Sequence, residues 1–274
     1  MGILALLAWF SDRHQVELLK SREVAENIIV QQRMGRELEQ AMADLQTLAQ
    51  LPLIREWVET PSPRSEQRMV RACSAFSKWH KAYDHVRFID TKGMERIRVN
   101  LMGDETVALP EEKLKYKGDR DFFTNAIKLG PGEVFISQLN LNAFRDPSEP
   151  AKPTIRFSTP VPNANGGKAG VLVINLIAEN MLSWLKQDAE QGDRSATELL
   201  NAEGYWLHSI DPKNEWAFMA GKDLSYARSR PKEWGWIAAR ESGQFIGSEG
   251  LVTFHTIRMP VKDARSGQNF WKLV

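Results

Sequence analysis

Three arginines stand where they could do chemistry together. In MERIRVN (94–100), Ile97 and Val99 alternate with Arg96, Arg98 and Asn100. In TIRFSTP (154–160), Ile155 and Phe157 alternate with Thr154, Arg156 and Ser158. Strand side chains point to opposite faces in turn, so each stretch has one apolar and one polar face. Between them, KGDRDFFTNAI (117–127) carries Arg120 just ahead of Phe122 and Phe123. Guanidiniums are planar, permanently charged donors. Arg98, Arg120 and Arg156 converging beside two aromatic rings would make a concave seat for a carboxylate or another small anion. The same arginines also suit a solvated sheet face with Asp and Glu partners, and at this point both readings stand.

Other chemistries find less support. Of His14, His80, His85, His208 and His255, only His80 and His85 are near in sequence. Their spacing does not put them on one helical face as a zinc pair needs, so no metal site is expected. The single cysteine, Cys73, excludes an intrachain disulfide and sits beside Ala72 and Ala75 as a core thiol would. Gly166-Gly167 precedes a strand, not a helix, which is turn chemistry and not a phosphate cradle. No acid–base constellation is signalled, so neither a cofactor nor an enzymatic activity is expected. Lys plus Arg (36) balance Asp plus Glu (35), leaving no basic field for nucleic acid. With 274 residues, 42% of them hydrophobic and 26% charged, the chain is long enough for two globular modules.

The elements that must position these arginines can be read in order. Residues 11–51 contain no proline, and Val24, Ile28, Leu38, Met42, Leu45 and Ala49 recur at three- and four-residue steps. That is one long amphipathic helix, roughly 60 Å at 1.5 Å per residue, with stripe to spare for a dimer seam. A second helix is expected at 65–83. VRFIDTKGMERIRVN (86–100) is a hairpin with Gly93 in its turn. A short helix follows at 118–130, with Asp119 as N-cap and Gly130 as stop, then a strand at 134–141 and a polar loop to Pro153. Two strands, 154–161 and 168–177, close the first half; the second is apolar on both faces and belongs in the middle of its sheet.

The second half repeats the plan. LLNAEG (199–204) matches FIDTKG (88–93) class for class, and a hairpin at 197–209 is followed by a helical stretch at 224–240 and strands at 251–259 and 269–274. The apolar run ILALLAWF (3–10) is too short to span a membrane and reads as the stub of a transmembrane helix or as the first turns of a soluble one. The stub is the expectation, together with a native sequence that continues past Val274.

VRFIDTKGMERIRVN, KGDRDFFTNAI, GEVFISQLNLN, TIRFSTPV, GKAGVLVINL and LLNAEGYWLHSIDPKNEWAFM together resemble the double Cache, or PDC, sensor domains of bacterial histidine kinases, diguanylate cyclases and chemoreceptors. The resemblance implies an α+β fold: a long N-terminal helix followed by two tandem PAS-like antiparallel-sheet modules of about five strands each. The parts would be 1–83 (helices), 84–180 (membrane-distal module) and 181–274 (membrane-proximal module, cut at its last strand). It implies a periplasmic input domain of an inner-membrane receptor, flanked by membrane spans, weakly homodimeric through its N-terminal helix, and signalling by helix displacement. In amino-acid-binding members a tyrosine precedes Arg-x-Trp-Tyr and an aspartate ends the last strand. Here Arg120 matches the arginine, Phe122 and Phe123 the aromatics, Tyr116 lies one residue too near, and Asn175 takes the aspartate's place. Without that carboxylate an ammonium loses its counter-charge. The expected ligand is therefore a small organic acid or similar anion, held by Arg98, Tyr116, Arg120, Phe122, Phe123, Arg156 and Asn175; the alternative is a protein-binding input module with no small ligand.

Overall fold

The computed structural model describes residues 2–142, 151–190, 197–248, 250–261 and 270–274, with side chains from His14 onward except at 186–190. Most of the polar loop before Pro153, the segment around Gly267 and the side chains of 3–10 lie outside the described residues. Helix α1 (Gly2–Ala49) is longer than the periodicity alone requires. Among the described residues no helix is long and apolar enough to cross a membrane. Contacts divide the chain into two units, one built of Glu37–Asn180 with Pro260–Lys262, the other of Met1–Arg36, Met181–Met259 and Asp263–Val274.

In the first unit, the C-terminal part of α1 is followed by α2 (Pro52–Glu59) and α3 (Pro63–His80). Pro52 ends the proline-free run of residues 11–51 and on that ground alone reads as a breaker. Proline is tolerated in a helix's first turn, where its missing N–H has no partner to lose, so Pro52 starts α2. Likewise Pro63 starts α3 under a Ser62–Ser65 capping box, two residues earlier than expected. The sheet comprises β1 (Tyr83–Asp90), β2 (Glu95–Met102), β3 (Glu105–Ala108), β4 (Phe135–Ile136), β5 (Asn140–Leu141), β6 (Pro153–Pro162) and β7 (Lys168–Ile177). Its order is β3-β2-β1-β7-β6-β4, with β5 also on β6, and every pairing is antiparallel. Seven strands stand where about five were expected.

Two local corrections matter for the site. The 134–141 strand is broken: Ser137 Oγ takes the Arg156 N–H at 2.9 Å, replacing a ladder partner. The register with β6 then slips by one residue between β4 and β5. The 118–130 helix is also shorter, splitting into α4 (Asp121–Thr124) and a 3₁₀ turn at Ala126–Lys128. Its N-cap is Arg120, not Asp119, with no side-chain cap. The Arg120 carbonyl accepts from Phe123 and Thr124 N–H, which leaves its guanidinium at the helix mouth.

One face of the sheet packs on helices. Val86, Phe88, Ile97, Val99, Ile155, Phe157, Leu172 and Ile174 are all buried, Phe88 edge-on to Trp57 at 4.9 Å. Tyr83 donates to Asp44 of α1 at 2.6 Å. The buried stripe of α1 in this unit is Leu38, Ala41, Leu45 and Leu48; Met42 and Ala49 are only half-buried at its rim.

The second unit has α5 (Glu179–Glu190), β8 (Leu199–Asn201), β9 (Trp206–His208), α6 (Tyr226–Ser229), α7 (Pro231–Ala238), β10 (Ser242–Gly247), β11 (Gly250–Arg258) and β12 (Phe270–Leu273). Its five-stranded sheet runs β10-β11-β12-β8-β9. The N-terminal part of α1 is tied to it by Asn27 donating to Thr253 O at 3.2 Å and Gln31 to Thr256 O at 2.6 Å.

The duplicated hairpin is duplicated in its bonds. Asp90 Oδ1 accepts from Lys92 N and Met94 N at 2.9 and 3.0 Å, and Asn201 Oδ1 accepts from Glu203 N and Tyr205 N at 3.0 and 2.9 Å. Gly93 (φ 84°) and Gly204 (φ 82°) supply the same left-handed residue. Asp and Asn alternate there because both place a carbonyl-type oxygen at the same spot. Asp90→Ala and Asn201→Ala are each expected to cost about 1–3 kcal/mol, since two amides lose their acceptor. The buried Asn201 should cost more, and urea melts of the two variants check both the size and the order.

Candidate anion-binding site

Cross-strand register decides which side chains share a face. His85 pairs with Asn100 and Asn175, Arg87 with Arg98 and Val173, and Arg156 with Asn175. All of these therefore lie on the face opposite the helices, with Ile89, Val171, Thr154 and Ser158. Over this face sits α4. Phe122 and Phe123 are buried with Ile89, Ala126, Val171 and Val173 in one apolar cluster.

Phe122 is the hub. The guanidinium carbons of Arg87, Arg156 and Arg120 lie 5.7, 5.8 and 5.9 Å from its ring centroid. Arg98 stands beside Arg87, held by Asn100 Oδ1 at 2.9 Å and by His85 Nε2 at 2.9 Å. Arg156 donates to Asn140 Oδ1 at 2.8 Å. Of the arginines expected at the site, Arg98, Arg120 and Arg156 are thus brought together, and among the described residues Arg98 bonds to Asn100 and His85, not to a surface carboxylate.

Arg87 was missed. It is buried, and its Nε has no hydrogen-bond partner. Its ion-pair partner among the described residues is Glu95, fully covered, at 3.4 Å. Burial first, and then the neighbouring Arg98, lower the Arg87 pKa to about 10. Lys117 is also lowered, by burial opposed by Glu95, with Arg87 and Arg98 adding to the fall. The signal was available in VRFID, where Arg87 alternates with Val86 and Phe88 as Arg98 does with Ile97 and Val99.

The remaining expected residues divide. Asn175 is buried in the group, its Nδ2 3.0 Å from His85 Nδ1 and its Oδ1 without a partner. Phe123 is core beside Phe122. Tyr116 stands outside: it is 61% exposed, bridges Met94, and lays its ring over the Gly118 backbone. A carboxylate the sequence reading passed over, Asp84, lies at 3.0 Å from His85 Nδ1 and accepts from Asn142. Burial raises its pKa, but His85, Arg87 and Lys152 together hold it below the usual range.

The second unit fills the equivalent place with aromatic core. Counting back from the shared turn, Glu198 stands where Arg87 does, and its oxygens are taken by Trp206 Nε1 at 2.8 Å and Ser209 Oγ at 2.7 Å. Leu200, Trp206, Tyr226, Ile237 and Phe254 close over it. Arg228 and Arg258 pair with exposed Asp223 and Glu241. Among the described residues no group of three or more His, Cys, Asp or Glu could hold a metal ion.

Solved structures share this architecture. The extracellular domain of the putative histidine kinase vpHK1S-Z8 is 19% identical with a TM-score of 0.79, over 95% of this chain and 91% of that one. A domain of a putative sensory box/GGDEF family protein from Vibrio parahaemolyticus is also 19% identical, TM-score 0.80, covering 94% and 95%. The ligand-binding domain of the Pseudomonas fluorescens chemoreceptor CtaA, in complex with L-serine, is 13% identical, TM-score 0.59, covering 94% and 96%. No curated protein matches the sequence. The chain does match the family described as bacterial histidine kinase, sensor domain, over residues 30–266, and it belongs to that family.

Proposed function

We propose that this chain is the extracytoplasmic input domain of a bacterial transmembrane receptor whose first module, residues 84–180, is membrane-distal and binds a small organic acid. The observation that carries the reading is the convergence on Phe122 of Arg87 and Arg156 from one sheet face and Arg120 from the start of α4, with Arg98 beside Arg87 and Arg87 Nε unpartnered. A buried donor left without an acceptor costs about 1–3 kcal/mol, so an incoming carboxylate recovers what folding forfeits there. The serine-bound chemoreceptor domain supports a small carboxylate-bearing ligand for this fold. Binding would displace long helices, and α1 would pair weakly with a second copy, because the membrane that concentrates the partners is absent from a soluble domain.

A thermal-shift screen of organic acids tests this directly. Some acid is expected to raise the melting temperature of the wild type. Arg120→Ala and Arg98→Ala should abolish that shift while keeping the fold, because a charged hydrogen bond is worth about 1.5–3 kcal/mol. A screen in which no acid stabilises the protein, or stabilisation that survives both substitutions, would favour an input module that reads another protein.

A further inference from the structure

Beyond holding Arg98, His85 has no task in the anion seat, yet it is buried at the seat's centre, 6% exposed. Its Nε2 lies 2.9 Å from Arg98 Nη2, and its Nδ1 lies 3.0 Å from both Asp84 Oδ1 and Asn175 Nδ2. A guanidinium can only donate. The Arg98 contact therefore needs the lone pair on Nε2, so the ring is neutral with its hydrogen on Nδ1, on the side where the Asn175 amide and Asp84 lie. Amide oxygen and nitrogen are assigned from such networks. A ring hydrogen on Nδ1 asks Asn175 to turn its oxygen toward the ring, which places its two donor hydrogens where Oδ1 has no partner.

The charges around the ring are few. Asp84 and Arg87 face it from β1 and Arg98 from β2, while β7 brings only the neutral Asn175; Lys152 and Asn142 stand behind Asp84. Burial is the main cause that holds His85 below its ordinary range, Asp84 opposes it, and Arg87 and Arg98 add to the fall.

We propose that His85 is the positioning residue for Arg98 and that, given the anion seat above, it takes up to one proton from solvent as a carboxylate docks in the neutral range. The carboxylate draws Arg98 Nη2 off Nε2 and offsets the charge of Arg87 and Arg98. The freed Nε2 lone pair then binds a solvent proton, the only bond formed. Nε2–H and Arg98 both donate to the ligand, while Nδ1–H stays on the Asn175 amide oxygen with Asp84 beside it. The ring is thus more basic in the complex than in the free domain. Binding is tightest below the free-state value, weakens up to about tenfold per pH unit as pH rises toward the bound-state value, and is level above it.

Sodium acetate is a sufficient probe. Calorimetric titration of the purified domain in buffers of different ionisation heat counts protons, and ¹⁵N spectra of the ring report its tautomer across the neutral range. The expected result is an Nδ1–H tautomer in the free domain, a doubly protonated ring with acetate, and proton uptake approaching one. His85→Gln offers Oε1 to Arg98 but accepts no proton, so acetate should bind it with the wild type's high-pH affinity at every pH. Acetate binding with no proton uptake and a neutral ring overturns the proposal and leaves the anion seat standing. No acetate binding, with unmoved Arg98 side-chain resonances, overturns the proposal, and the organic-acid screen then decides the anion seat. A His85→Gln domain that keeps the wild-type pH dependence assigns the proton elsewhere and also overturns it.

Discussion

Glu95→Ala is expected to destabilise the first module by about 3–5 kcal/mol, because it strands a buried guanidinium. Glu95 is fully covered, faces Arg87 at 3.4 Å, and accepts the Lys115 N–H at 3.0 Å. The loss leaves Arg87 among Arg98, Arg156 and Lys117 with no neighbouring carboxylate but Asp84 to oppose them. The comparison that separates this from lost packing is the double variant Arg87→Met, Glu95→Leu. With both charges gone and the volume kept, stability should return to within about 1–2 kcal/mol of wild type, while organic-acid binding should not. Urea denaturation measures both. A single variant that loses less than about 1 kcal/mol would show that solvent already reaches Arg87.

Phe122→Ala carries the other large effect, about 3–5 kcal/mol of stability together with loss of the anion seat. The ring is 2% exposed and packs against Ile89, Phe123, Ala126, Val171 and Val173. Its guanidinium neighbours lie at 5.7–5.9 Å, the outer edge of cation–π range, so apolar burial outweighs attraction to the ring. Phe122→Leu tells the two contributions apart. It keeps most of the volume and should cost about 1.5 kcal/mol or less. A Leu variant as unstable as the Ala variant would mean that the ring's face, not its bulk, holds the arginines.

Much of the site was legible because strand alternation is a local rule. Ile97 and Val99 against Arg98, and Ile155 and Phe157 against Arg156, assign faces from sequence alone. The repeated FIDTKG and LLNAEG announced the duplicated turn because its hydrogen bonds close within six residues. The extra strands β3 and β10 were illegible for the opposite reason. GDETVA and SGQFIG carry weak alternation, and they become strands because a neighbouring edge supplies hydrogen-bond partners. The break at Ser137 depends on one hydroxyl meeting the Arg156 N–H across the sheet.

The sequence by itself determined the α+β plan, the two hairpins, the long helix and the polar face bearing Arg98 and Arg156, since each follows from spacing along a short stretch of chain. Tertiary structure decided which polar residues became a site. Antiparallel register set Arg87 beside Arg98, and His85 between Asp84 and Asn175, although Asn175 lies 90 residues along the chain from His85. It left Tyr116 at the surface. Charge placed on a strand is local information, whereas the desolvation and the neighbours that make it reactive come only from strands that meet in space.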